Sequence, residues 1–209
     1  MARASVFRPD GVALPAVDLP GSGIPPAWVE RARHPSFLAD LSELHPLARI
    51  LATTDGTVTE ILEAWADDRV AVGELAQVEA PLTRPVELLE VGAHRRLLRR
   101  EVLLVGVRTK RPLLHAESLI VAERLPDEIR DGLREGSTPI GKLLRRHRLE
   151  TYREFLYLGR AGAGPLALRF RISPSDPVIE RTYRVFAGGR PVMLINESFP
   201  QRMMPSPGA

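Results

Sequence analysis

The sequence predicts an α+β fold, a mainly antiparallel β-sheet with helices packed on one face, and three observations carry that prediction. Period-two alternation of apolar and polar residues dominates from residue 69 onward. Gly188-Gly189 between the last two runs is a hairpin-turn signal. The helical stretches are few and lack the regular strand–helix alternation of a nucleotide-binding fold.

Taken in order, residues 1–46 read as a Pro/Gly-rich arm. Pro9, Pro15, Pro20, Pro25 and Pro26, with Gly11, Gly21 and Gly23, disfavour a helix or a central strand there. A short helix is expected over 47–52, stopped by Asp55-Gly56. Thr57-Val-Thr-Glu60 then fits a capping box, with Val58, Ile61, Leu62 and Trp65 forming one apolar stripe behind it. Strands are expected over 69–78, 97–107, 113–123, 152–158, 166–172, 178–186 and 192–199. Two helices interrupt them. The first follows Pro126, with Ile129 and Leu133 on its apolar face and Gly136 as its stop. The second starts at Thr138-Pro139-Ile140-Gly141, with Thr138 as N-cap and Pro139 in the first turn. The organisation is therefore an arm over 1–46, one domain over 47–200 and a loose tail over 201–209.

Composition narrows the function classes. A chain of 209 residues, 44% hydrophobic and 26% charged, suits one globular domain. The absence of cysteine excludes disulfides, thiolate metal sites and thiol chemistry. Basic residues exceed acidic ones by 29 to 26, and only Lys110 and Lys142 are lysines. Acidic residues are interspersed among the arginines, which argues against a nucleic-acid partner. No apolar run reaches the ~18–20 residues that span a membrane, and the first residues lack an apolar core of signal-peptide length. A cytoplasmic protein without a membrane partner is expected. Its five histidines (His34, His45, His94, His115 and His147) show no metal-ligand spacing and read as surface or loop residues, so no metal site is expected. Glycine-loop, HExxH and nucleophile-elbow signatures are missing.

What remains is a pair of charges on the wrong phase of a strand. Arg100 alternates with Leu98, Val102 and Leu104, and Glu197 with Met193 and Ile195, so both point to the apolar face. Buried charges need a partner. Three readings stand: a structural ion pair between adjacent strands, a surface charge at a frayed strand end, or a largely apolar pocket holding one fixed cation and one titratable group. The two helix starts add unpaired N–H groups, at Val58 and Ile140, that suit one carboxylate.

The segments Leu98-Arg-Arg-Glu-Val-Leu-Leu104, Ala116-Glu-Ser-Leu-Ile120, Gly136-Ser-Thr-Pro-Ile-Gly141, Arg181-Thr-Tyr-Arg-Val185 and Gly189-Arg-Pro-Val-Met-Leu-Ile-Asn-Glu-Ser-Phe-Pro200 share an order with one family. Together they resemble the chorismate pyruvate-lyases, in particular the actinobacterial and archaeal branch. The likeness implies a chorismate lyase-like sheet and release of pyruvate from chorismate to leave 4-hydroxybenzoate, with no metal or organic cofactor. It implies that Arg100 grips the ring carboxylate with the N–H groups of Ile140 and Val58, while Glu197 meets the oxygen-bearing edge of the ring. Quinone-pathway members often carry methionine where Val58 stands, which bears on pocket shape and not on a backbone contact. Glu117, Arg181 and Arg184 are second-tier candidates for the substrate's other polar groups, with sheet-surface charge as their alternative reading. Two other functions fit the same fold. One is a non-catalytic, aromatic-acid-binding domain like the effector domains of certain bacterial regulators, although residues 1–46 are too short and proline-rich for the winged helix those carry. The other is a lyase-like enzyme recruited to a different biosynthetic reaction.

Overall fold

A computed structural model describes residues 5–7, 23–38, 40–42 and 44–201. Its centre is an eight-stranded sheet in the order β1-β3-β4-β5-β8-β7-β6-β2. The strands are β1 (Ser5–Phe7), β2 (Ser36–Phe37), β3 (Val70–Pro81), β4 (Arg96–Gly106), β5 (Pro112–Ile120), β6 (Tyr152–Gly162), β7 (Pro177–Ala187) and β8 (Arg190–Pro200). All neighbours run antiparallel except β2 beside β6. The fold is the expected α+β one. Gly188 and Gly189 turn β7 into β8 at φ +56° and +73°, a conformation that costs glycine little.

Four helices cover one face. They are α2 (Pro46–Thr53), α3 (Val58–Ala66), α4 (Asp127–Glu135) and α5 (Ile140–Arg146). Leu47, Leu51, Val58 and Leu62 pack on Leu75, Leu104 and Leu114 of the sheet. Ile129, Leu133, Leu143 and Leu144 pack on Ile120, Val185, Met193 and Ile195. Gly136 ends α4 at φ +77°, and a Cβ there would lie 2.2 Å from Leu75 Cδ2, so both the turn and the close approach require glycine.

Several expectations need correction. The expected arm holds a helix, α1 (Ala27–Ala32), which begins directly after Pro26 and buries Trp28, Val29 and Ala32 against Leu97, Leu119 and Leu194 on the opposite face. Prolines that break a helix interior are tolerated just ahead of its first turn. The leader residues 8–22 and the tail beyond 201 lie outside the described residues. The strand expected over 166–172 is a 3-10 turn (Gly164–Leu166) followed by α6 (Ala167–Phe170). Ala167 and Phe170 face inward three residues apart while Leu168 is 70% exposed, so the apparent alternation Leu166, Leu168, Phe170 was coincidental. Thr57 is the N-cap of α3, yet its side chain makes no capping bond. The cap of α5 is Pro139 and not Thr138, because Pro139 is extended at ψ 139° and helical geometry begins one residue later. His115, expected at the surface, is buried in β5 and bonded to Glu101 at 2.8 Å on the face away from α3 and α5.

Candidate active site

Between the sheet and the starts of α3 and α5 lies an open pocket of about 610 Å³, a volume that includes its mouth. Five adjacent strands make its floor: Arg100 from β4, Ala116 from β5, Glu197 from β8, Tyr183 from β7 and Arg153 from β6. Residues 56–59 and 139–141 close it from above. Two ion pairs, Lys142–Glu63 at 2.5 Å and Arg145–Glu60, tie α5 to α3 and hold that cover together.

Arg100 is buried at 1% exposure. Its guanidinium donates to Gln77 Oε1 (3.3 Å) and to the carbonyls of Leu133 (3.2 Å), Gly136 (3.1 Å) and Thr138 (3.1 Å). The Leu133 and Gly136 carbonyls sit at the C-terminal end of α4, where orphan acceptors and the negative end of the helix dipole favour a cation, and Thr138 lies in the link to α5. All four partners are neutral, and Nε is buried without a partner. Burial pushes the Arg100 pKa down to about 10, which still leaves it protonated at neutral pH. The side chain is thus a desolvated positive charge with no counter-anion among the described residues. An ionic ligand is the natural complement.

Near the same end, the first turns of α3 and α5 present the N–H groups of Val58 and Ile140. Neither has an acceptor among the described residues, and neither helix has a side-chain cap.

Glu197 sits two strands from Arg100, about 9–10 Å between strand axes at normal sheet spacing. The reading of these two as a structural ion pair is therefore wrong, because β5 lies between them. Nor is the Glu197 setting purely apolar. Arg181 Nε donates to Oε2 at 2.6 Å and Tyr183 Oη donates to Oε1 at 3.0 Å. Burial, with the adjacent Glu197 charge, pushes the Tyr183 phenol well above its usual range, so the hydroxyl keeps its proton and donates. A carboxylate has about four acceptor positions, and Glu197, which lines the pocket, retains capacity for a ligand hydroxyl.

The second-tier residues separate. Arg181 is fully buried on the pocket side of the sheet, but it stands behind Glu197 and donates to the Leu51 and Thr54 carbonyls. Glu117 and Arg184 lie on the opposite face. Glu117 pairs with Arg99 at 3.3 Å, and Arg184 pairs with Glu154. Neither lines the pocket. Conversely, Tyr183 and Arg153 line it, although neither is among the site residues expected from the sequence. Both obey the rule that exposed Arg100 and Glu197: Tyr183 is in phase with Val185, and Arg153 with Phe155.

A family model described as "Chorismate pyruvate-lyase Rv2949c-like" matches residues 52–205 of this chain. The chain belongs to the chorismate pyruvate-lyase family. It is a lyase. The chorismate pyruvate-lyase of Mycobacterium tuberculosis is 33% identical over 171 residues, covering 78% of this chain and 85% of the relative. That of Mycobacterium leprae is 34% identical over 156 residues, 72% of each chain. A putative lyase of Methanocaldococcus jannaschii is 30% identical over 168 residues, covering 79% and 85%. Among solved structures, PhnF from Mycobacterium smegmatis aligns with a TM-score of 0.55 at 14% identity, over 73% of this chain and 67% of that one. Its effector domain alone aligns at 0.53 and 15%, over 72% and 91%. These two share the fold with this family member and nothing further follows from them. Among the described residues, no helix is long and apolar enough to cross a membrane.

Proposed function

We propose that this protein converts chorismate to 4-hydroxybenzoate and pyruvate, using its own side chains and no metal or organic cofactor. The observation that carries the reading is Arg100: a buried cation with neutral partners only, in one pocket with Glu197 two strands away. Arg100 and the N–H groups of Val58 and Ile140 hold the ring carboxylate. With its other four N–H groups held by neutral acceptors, Arg100 has its Nε–H left for that carboxylate, one charge-assisted bond backed by a fixed, desolvated positive charge. Glu197, kept in place by Arg181 and Tyr183, accepts a hydrogen bond from the ring hydroxyl.

The chemistry asks little beyond that. The ether bond between ring carbon and enolpyruvyl oxygen breaks. The hydrogen on the hydroxyl-bearing ring carbon leaves as a proton, the ring becomes aromatic, and the enolpyruvyl methylene gains a proton to become the methyl of pyruvate. Aromatisation supplies the driving force. The protein's part is to select one reactive conformer and stabilise charge developing on the departing oxygen. Val102, Leu104, Leu114 and Ile195 exclude water around it, which strengthens those electrostatic contacts.

Purified protein incubated with chorismate is expected to release pyruvate and an aromatic acid in equal amounts. Folded protein that binds 4-hydroxybenzoate and releases neither product would refute the reading and favour an effector-binding role.

A further inference from the structure

The pocket has a second unpaired cation. Among the described residues, Arg100 and Arg153 are the basic side chains that line it. Three other arginines of these strands are committed to carboxylates: Arg181 to Glu197, Arg184 to Glu154, Arg99 to Glu117. Arg153 has none among the described residues. Its one hydrogen bond is to the backbone carbonyl of Asp55, in the turn leading to α3. It is half-buried on β6, at the far side of the floor from Arg100 on β4, with Glu197 on β8 between them. Its guanidinium carbon stands 5.9 Å from the centre of the Tyr183 ring, whose hydroxyl is 3.0 Å from Glu197. The charged head of Arg153 is therefore one aromatic ring away from the Glu197 carboxylate.

The floor thus presents, in strand order, a deep cation, a carboxylate and a shallower cation. We propose that Arg153 binds the carboxylate of the departing three-carbon group, and so makes the pocket selective for ring acids carrying a second anion. The inference rests on the chorismate reading: a substrate with two carboxylates, the first at Arg100 and the ring oxygens at Glu197, directs its second carboxylate beyond Glu197. A bidentate group at the pocket mouth serves substrate and product differently. It grips the dianion, and it has nothing to hold on the ring product, which has one carboxylate only. Arg153 thereby favours entry of substrate without slowing departure of 4-hydroxybenzoate.

The experiment compares two inert probes by calorimetric titration, benzoate and 3-(carboxymethoxy)benzoate, the second bearing an additional carboxylate beside the ring. Wild-type protein is expected to bind the dianion tighter by roughly tenfold to a hundredfold, the usual worth of a hydrogen bond to a charged group. Arg153→Gln, which retains a donor for the Asp55 carbonyl, is expected to bring the dianion to benzoate's affinity while leaving benzoate within twofold. Arg153→Lys should recover part of the preference. With chorismate, Arg153→Gln should raise KM by the same factor and leave 4-hydroxybenzoate inhibition unchanged. The inference falls if wild type shows no preference for the dianion, if the preference survives in Arg153→Gln, or if both probes weaken equally, which would make Arg153 a support for the Asp55 turn alone. Failure of the chorismate reading is distinguishable, since it is a lack of pyruvate release by the wild type whatever the probes do.

Discussion

Arg181 offers the sharpest test of how the site is held. It is fully buried, opposes Glu197 directly across β7 and β8, and meets its carboxylate at 2.6 Å. Its guanidinium carbon also lies 5.5, 5.1 and 5.6 Å from the Phe155, Tyr183 and Phe199 ring centres. Arg181→Met keeps most of the apolar stem among those rings and deletes the charge. What it leaves is a buried carboxylate with Tyr183 as its remaining partner, and the Leu51 and Thr54 carbonyls without their donor. Breaking a buried pair from one side costs about 3–5 kcal/mol. For a chain of this size each kcal/mol moves Tm by about 2–4 °C, so a fall of roughly 6–20 °C is expected.

The companion variants make the reasoning refutable. Glu197→Gln strands the opposite charge and should cost a similar amount. The double variant removes both charges and should cost less than the two together by about 2–3 kcal/mol, the scale of coupling between contacting residues. The assay is urea denaturation of all four proteins. Additivity within about 0.5 kcal/mol would show that Arg181 and Glu197 are not energetically coupled. The account of Glu197 as a carboxylate positioned by Arg181 would then be wrong.

Other consequences are checked more simply. Arg100→Met is expected to weaken benzoate and 4-hydroxybenzoate binding roughly 10- to 10²-fold, one charge-assisted bond's worth, and to shrink the rise in Tm those ligands are expected to give the wild type. Gly136→Ala forces a Cβ at φ +77° into Leu75, so a loss of about 1–3 kcal/mol is expected in denaturant titrations, with weaker benzoate binding because the Gly136 carbonyl holds Arg100. Asp68 accepts from the Arg108 and Thr109 amides at 3.0 and 2.9 Å and from the Thr109 hydroxyl at 2.8 Å. The two amide bonds lead in holding its carboxyl down at about 2, below its ordinary 3.8. The stability it contributes is therefore complete above pH 3.8 and lost as pH falls toward 2. The Tm gap between wild type and Asp68→Asn should close over that window; a gap that is constant from pH 6 to pH 2 would overturn the assignment.

Much of this architecture was legible because burial imposes a period on the sequence. The sheet strands, the stop at Gly136 and the Gly188-Gly189 turn follow from local rules, and Arg100 and Glu197 stand out by sitting in apolar phase. Short elements stabilised by tertiary contacts were not legible. Helix α1 owes its place to Trp28 and its neighbours packing on the sheet, and α6 is four residues whose alternation imitates a strand. Arg153 carried the same signal as Arg100, in phase with Phe155. However, a register shift between Phe155 and Tyr157 puts Tyr157 on the opposite face and breaks the alternation of that strand.

The partner of Glu197 was hidden by a second bulge. Counting outward from the Gly188-Gly189 turn, Ala187 opposes Arg190 and Phe186 opposes Pro191. Continued unchanged, that register would set Arg181 against Asn196 on the far face of the sheet. Between Phe186 and Val185 the register slips by one, so that Val185 opposes Met193 and Arg181 opposes Glu197. One extra residue in β8, Val192, thus exchanges the faces presented by everything beyond it. A simple hairpin would turn Glu197 away from Arg181, leaving each buried charge without the other. The bulge sets the two residues opposite each other: the charges show on the strand pattern, whereas the slip that joins them is a matter of register between β7 and β8, which the alternation within either strand does not encode.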